Sequence, residues 1–195
     1  DLVHLLTEKH KIFFALTGSS ARKLKRGGAN LLAGRAFVLH LFPYLFSELG
    51  NQFSLENALS WGTLPPTINL DNSLDRSRYL NAYAQTYLRE EIAIEQIVRK
   101  LEPFRKFLEV AAQSNGKLIN YSNISRDVGT AVTSIQSYFS ILEETLLGFV
   151  LEPYHQSVRK RQKQSPKFYF FDYGLVRALT RSLGDSMRPG TYSFG

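Results

Sequence analysis

Cysteine is absent from this chain of 195 residues. That excludes disulfide frameworks, thiolate catalysis and cysteine-bound zinc, and it suits a reducing cytosol, so a cytoplasmic location is expected. Long apolar runs are also lacking. The longest, Ala36 to Phe46, contains His40 and Pro43 and is too short to span a bilayer, so no membrane association is expected. The first residues do not read as a signal peptide. Histidine is sparse: the four, at positions 4, 10, 40 and 155, lack metal-ligand spacing, no metal site is expected, and His40 reads as a core histidine. No GxxxxGK followed by Ser or Thr occurs, no GxGxxG and no HExxH, so the sequence carries no phosphate-cradling loop and no zinc-protease helix. Internal repeats and low-complexity tracts are missing too. The chain opens on Asp1 in mid-pattern and is expected to be a piece of a longer protein.

What is present is an ordinary globular mixture, 44 % apolar and 21 % charged, which excludes wholesale disorder. The net charge of +7 is uneven: residues 51–110 carry seven Lys/Arg against eight acids, whereas residues 111–195 carry ten against six. Two clusters hold most of the excess, Arg22, Lys23, Lys25 and Arg26, then Arg159, Lys160, Arg161, Lys163 and Lys167. Such clusters are either phosphate-binding footprints or solvated loops.

The apolar, aromatic run Ile12–Thr17, ending in Gly18-Ser19-Ser20, reads as a strand buried on both faces, fed by a helix over Leu2–Lys9. Ala36–Leu41 is a second strand candidate, and the order helix, strand, connector, strand is an α/β pattern. Trp61 to Asn72, with two adjacent prolines, reads as a linker or loop. From Arg76 the pattern turns helical: Tyr79, Leu80, Tyr83, Tyr87, Leu88, Ile92, Ile97 and Leu101 recur at helical spacing and read as core or interface. Pro103 suits a first helical turn, with Phe104, Phe107, Leu108 and Ala111 as the buried stripe and Asn115-Gly116 as the stop. Next come a short helix over Tyr121–Val128 capped by Ser122, a tight Gly129-Thr130 turn, and a helix over Ala131–Leu147 stopped by Gly148. The apolar face of that helix is Val132, Ile135, Tyr138, Phe139, Leu142 and Leu146. The strand-like runs 149–151 and 168–171, joined by the basic loop 155–167, complete the order of a winged helix-turn-helix.

In that reading Thr130, Thr133, Ser134, Gln136 and Ser137 lie on or near the groove-facing side of the second helix, where short polar side chains reach phosphates or base edges. Arg159, Lys160, Arg161, Lys163 and Lys167 would meet backbone phosphates from the wing. The helix 131–147 has no Arg or Lys and carries Glu143 and Glu144 near its end, which favours a protein-docking or lid module; sequence reading is not expected, and nonspecific contact through the wing stays open. Glu90-Glu91 and Glu143-Glu144 read as solvated or ion-paired, and Asp172 as a helix cap at Gly174-Leu175.

LTGSSARKL (Leu16–Leu24), NLLAGR (Asn30–Arg35), Pro43…Glu48, YLREEI (Tyr87–Ile92) and PKFYFFDYGL (Pro166–Leu175) follow one another in order. That succession resembles the second half of the prokaryotic AAA-type ATPases (AAA+ superfamily) that carry a domain of unknown function after the ATPase core. The resemblance implies an α/β remnant of that core at 1–60; with the element order read above, a linker and mainly α region at 61–100, the winged helix-turn-helix at 101–180 and a tail at 181–195 are expected to follow. The resemblance makes Thr17, Ser19 and Ser20 a sensor-like strand tip near the γ-phosphate. Arg35 is either a phosphate contact or a structural partner of Glu48. ATP and Mg are implied for the full-length protein, and neither is expected to bind well to this chain, which should not hydrolyse ATP alone. Members of the family continue into a nuclease-like region, for which this chain has no room before Gly195. The expected partners are double-stranded DNA, a protein or other subunits. The competing reading is a stand-alone winged-helix DNA-binding regulator without nucleotide.

Overall fold

The computed structural model describes residues 2–17, 37, 39–86, 101–154, 156 and 164–187. Among them the chain is mainly helical, with one two-stranded antiparallel sheet. Helix α1 spans Leu2–His10 and α2 Phe46–Leu49, followed by a single 3-10 turn at Gly50–Gln52. Then come α3 (Leu55–Trp61), α4 (Pro65–Asn69) and α5 (Ser73–Thr86). The second half holds α6 (Leu101–Gln113), α7 (Tyr121–Val128), α8 (Val132–Glu144), β1 (Gly148–Leu151), β2 (Lys167–Phe170) and α9 (Tyr173–Leu179).

Local chemistry explains most of these boundaries. Ser54 caps α3 by accepting from Asn57 N at 3.3 Å. Asn120 caps α7 by accepting from Asn123 N at 2.9 Å, so the cap is Asn120 rather than the expected Ser122, which lies inside the helix. Gly129 closes α7 in the left-handed conformation (φ 74°), and Ser125 Oγ donates to Thr130 O at 2.5 Å across the tight turn. Helix α8 is shorter than the sequence pattern suggests. It ends at Glu144 with Thr145 after it, and Gly148 opens β1 instead of stopping the helix.

The core is built where the helical periodicity places it. Phe104, Phe107, Leu108 and Ala111 of α6 are at most 1 % exposed and interlock with Ile135, Tyr138, Phe139 and Leu142 of α8. Phe107 meets Phe139 edge-on with centroids 4.9 Å apart, and Phe139 meets Phe168 of β2 at 5.0 Å. Val132, at the first position of α8, is 37 % exposed and lies outside this core. Leu146, past the helix end at φ 57°, is half-buried. β1 and β2 pair with Phe149 opposite Tyr169 and Leu151 opposite Lys167. The 116–119 segment runs along the other edge of β2, with Gly116 N donating to Phe168 O and Ile119 N to Pro166 O, both at 2.8 Å.

Helix α9 joins the two ends of the described fold: it packs on α3, α5, α6 and β2. The Trp61–Asn72 segment, expected as a linker or loop, holds the short helix α4 between non-helical residues. Its prolines occupy the first turn of α4, where a missing N–H costs nothing, and Thr67 is 1 % exposed. Gly174 lets α9 approach the loop after α3, because a Cβ there would overlap the backbone carbonyl of Trp61. Gly174→Ala is therefore expected to destabilise by about 3 kcal/mol, read from a thermal melt.

The expected buried strand at Ile12–Thr17 is not formed. Residues 11–17 are irregular and exposed, Phe13 to 98 %. Phe37, Leu39 and Leu41 of the second strand candidate are also exposed, between 86 % and 97 %. A strand buried on both faces needs a neighbour on each side, and no described segment runs beside either run. His40 is likewise exposed rather than core, its ring 6.2 Å from that of Phe42. Tyr79 and Tyr83 are half-buried and stacked at 6.1 Å. Tyr87, Leu88, Ile92 and Ile97 lie outside the described residues.

Candidate nucleic-acid interface

The apolar face of α8 is consumed by the core, so its opposite face is set by what remains: Thr133, Gln136, Ser137 and Ser140, all exposed at helical spacing. Ser134 and Thr130 are half-buried at the edge of that face. Ser137 Oγ donates to Thr133 O at 3.0 Å and Ser140 Oγ to Gln136 O at 3.3 Å, so both hydroxyl oxygens keep lone pairs for a ligand's donors. The face is polar, and the exposed Glu143 and Glu144 continue it at the C-terminal end of α8 with negative charge. Of the residues expected to bind nucleic acid, the structure brings Thr133, Ser134 and Gln136 together on α8. Lys167 sits half-buried at the start of β2. Arg159, Lys160, Arg161 and Lys163 lie outside the described residues.

The outer face of the hairpin adds a feature that the helix-turn-helix pattern does not announce. The register puts Phe149 and Tyr169 side by side on that face, stacked at 5.6 Å, and Leu151 with Lys167 beyond them. Strict alternation in the two runs carries that signal, since Phe168 and Phe170 point inward and Tyr169 does not. Glu143 is also more than a solvated charge: its Oε1 accepts from Val150 N at 2.8 Å, tying the end of α8 to β1.

Thr17, the described member of the sensor-like set, is exposed on the irregular 11–17 segment; Ser19, Ser20 and Arg35 lie outside the described residues. Glu48, weighed as a partner of Arg35, accepts from Leu45 N at 2.8 Å. The described residues thus do not assemble a nucleotide site, and they hold no cluster of three His, Asp or Glu able to take a metal ion.

Asp172 is a structural carboxylate. Oδ1 caps α9 through Leu175 N at 2.9 Å, while Oδ2 accepts from Thr63 N at 2.7 Å and Leu64 N at 3.2 Å. It is 4 % exposed, and burial pushes its carboxyl above the ordinary range, opposed by these backbone donors. Burial, with Asp172 nearby, raises the Tyr79 hydroxyl as well. Arg177, 3 % exposed, donates to Ser60 O at 2.9 Å, to Asp185 O at 2.6 Å and to Ser182 O. Arg177 also lines a cleft of about 510 Å³ between α3, α5 and the 183–187 turn.

With helices, hairpin and α9 in place, the class is a mainly helical domain. The family described as Domain of unknown function (DUF8612) matches residues 52–186, and the chain belongs to it. The chain is similar to the "Uncharacterized protein Mb2031c" of Mycobacterium bovis (strain ATCC BAA-935 / AF2122/97), 25 % identical over 166 residues. It is equally similar to the "Uncharacterized protein Rv2008c" of Mycobacterium tuberculosis (strain ATCC 25618 / H37Rv), 25 % identical over 166 residues. Each match covers 85 % of this chain, which spans 37 % of the length of these curated relatives. No solved structure matches the chain.

Proposed function

We propose that residues 101–180 act as a winged helix-turn-helix that contacts double-stranded DNA, in a chain that forms the C-terminal portion of an AAA-type ATPase. The observation that carries the first part is the exposed polar stripe of α8 (Thr133, Gln136, Ser137, Ser140), ending at Glu143 and Glu144 and set between a tight turn and an antiparallel hairpin. The element order α6, 116–119 segment, α7, α8, β1, β2 supports the winged-helix assignment. With no Arg or Lys on α8, contact is nonspecific, and its electrostatic part comes from the basic segment between β1 and β2. The ATPase part rests on the ordered motifs, with ATP and Mg belonging to the full-length protein. The second reading, a stand-alone winged-helix regulator, is favoured by one observation: among the described residues the only sheet is the hairpin. A GxxxxGK followed by Ser or Thr in the reading frame upstream of Asp1 would decide for the ATPase.

Fluorescence anisotropy with a short labelled duplex tests the DNA contact. Binding is expected to weaken with salt, and the charge reversals Lys160→Glu and Arg161→Glu together to weaken it about tenfold at low salt with no change in melting temperature. Absence of binding even at low salt would leave α8 and the hairpin as a protein-docking module.

A further inference from the structure

The outer face of the hairpin holds a continuous row of rings. Phe42 lies against Phe171 at 4.6 Å, Phe171 against Phe149 at 5.4 Å, and Phe149 stacks on Tyr169 at 5.6 Å with planes 20° apart. Phe42 is 45 % exposed and Phe149 39 %. The core does not explain the row, since Phe168 and Phe170 of the same strand fill the inner side. Exposed rings locked against one another lose little freedom when a flat partner stacks on them. The segment that joins the two strands is basic in sequence. From Glu152 to Lys167 the chain carries five Lys/Arg and one acid, and Lys167 is on the outer face itself, opposite Leu151. A row of rings, tilted by 46° and 32° at Phe171 and near-parallel between Phe149 and Tyr169, beside the Lys167 ammonium matches one chemistry better than others: bases that stack, on a backbone that is anionic.

We propose that Phe42, Phe171, Phe149 and Tyr169 form a stacking platform for unpaired nucleobases, with Lys167 next to the strand's phosphates. The platform shares the hairpin with the duplex contact proposed above but not the α8 face, so the two can fail separately. Duplex DNA keeps its bases stacked inside and cannot use the rings. A single strand can.

The test is anisotropy of fluorescein-labelled oligo-dT on the full chain, beside the duplex and a phosphodiester strand without bases. Phe149→Ala is expected to lose about tenfold in oligo-dT affinity and Phe149→Tyr to keep it. Phe42→Ala, at the far end of the row, provides a second variant should Phe149→Ala melt early; it is expected to lose oligo-dT affinity too. Oligo-dT binding that neither alanine alters, or that the base-free strand reproduces, would overturn the platform. So would self-association of the chain that Phe149→Ala abolishes, because the row would then be covered by a second copy.

Discussion

Asp172→Ala is expected to cost about 4 kcal/mol, because it strands buried backbone N–H groups from two separate elements at once. The carboxylate receives Leu175 N within α9 and Thr63 N and Leu64 N from the loop after α3. Removing it therefore uncaps a helix and releases the contact that holds α3 and α4 to it. For a chain of this size the melting midpoint should fall by roughly 10 °C. Asp172→Asn keeps the volume but turns one acceptor into a donor facing N–H groups, so it should recover little of the loss. The pH dependence follows from the raised carboxyl. The folded state keeps the proton to higher pH than the unfolded chain does. Asp172's contribution is then fully present below the ordinary carboxylate range and declines as pH rises through the raised value. The stability gap between wild type and Asp172→Asn should narrow as pH rises from acid toward neutrality; a gap that widens would show that the carboxyl is not raised.

Arg177→Met is the second large effect, about 3 kcal/mol, since hydrogen bonds from a charged group to buried carbonyls are worth more than neutral ones. Burial depresses the guanidinium from its ordinary value, and the protein meets it with the carbonyls of Ser60, Ser182 and Asp185, which join the end of α3 to the 182–185 turn. Methionine preserves the packing of the stem, so the loss reports the fork of donors. Arg177→Lys should not restore stability, because an ammonium cannot span three carbonyls in that geometry. Hydrogen exchange should speed up in α9 and at the end of α3 together. Loss of protection in α9 alone would contradict the clamp.

These two residues show where sequence reading stops. The Asp172 cap is legible, because an acidic residue after a strand and three before a helical apolar residue is a local signal. Its bonds to residues 63 and 64 are not, since no local pattern reports a partner 109 positions away. The α6 and α8 stripes are legible because a period of 3.6 has only one structural reading over thirteen residues. The polar face of α8 follows as its complement. Short apolar runs lack that redundancy: the burial expected for Ile12–Thr17 depends on neighbours that the run itself does not encode. Pro65-Pro66 is ambiguous for another reason, as prolines open helices as readily as they break them. The aromatic row on the hairpin requires the register, which pairs Phe149 with Tyr169 only once both strands are in place.

The proposed DNA contact surface is α8 together with the hairpin. Amide hydrogen exchange of the chain with and without a saturating short duplex at low salt tests it most directly. Slowed exchange is expected from Thr133 to Ser140 and in the residues flanking β1 and β2, with α3, α4 and α9 unchanged. Slowing confined to α3, α4 and α9, or none at saturation, would contradict it.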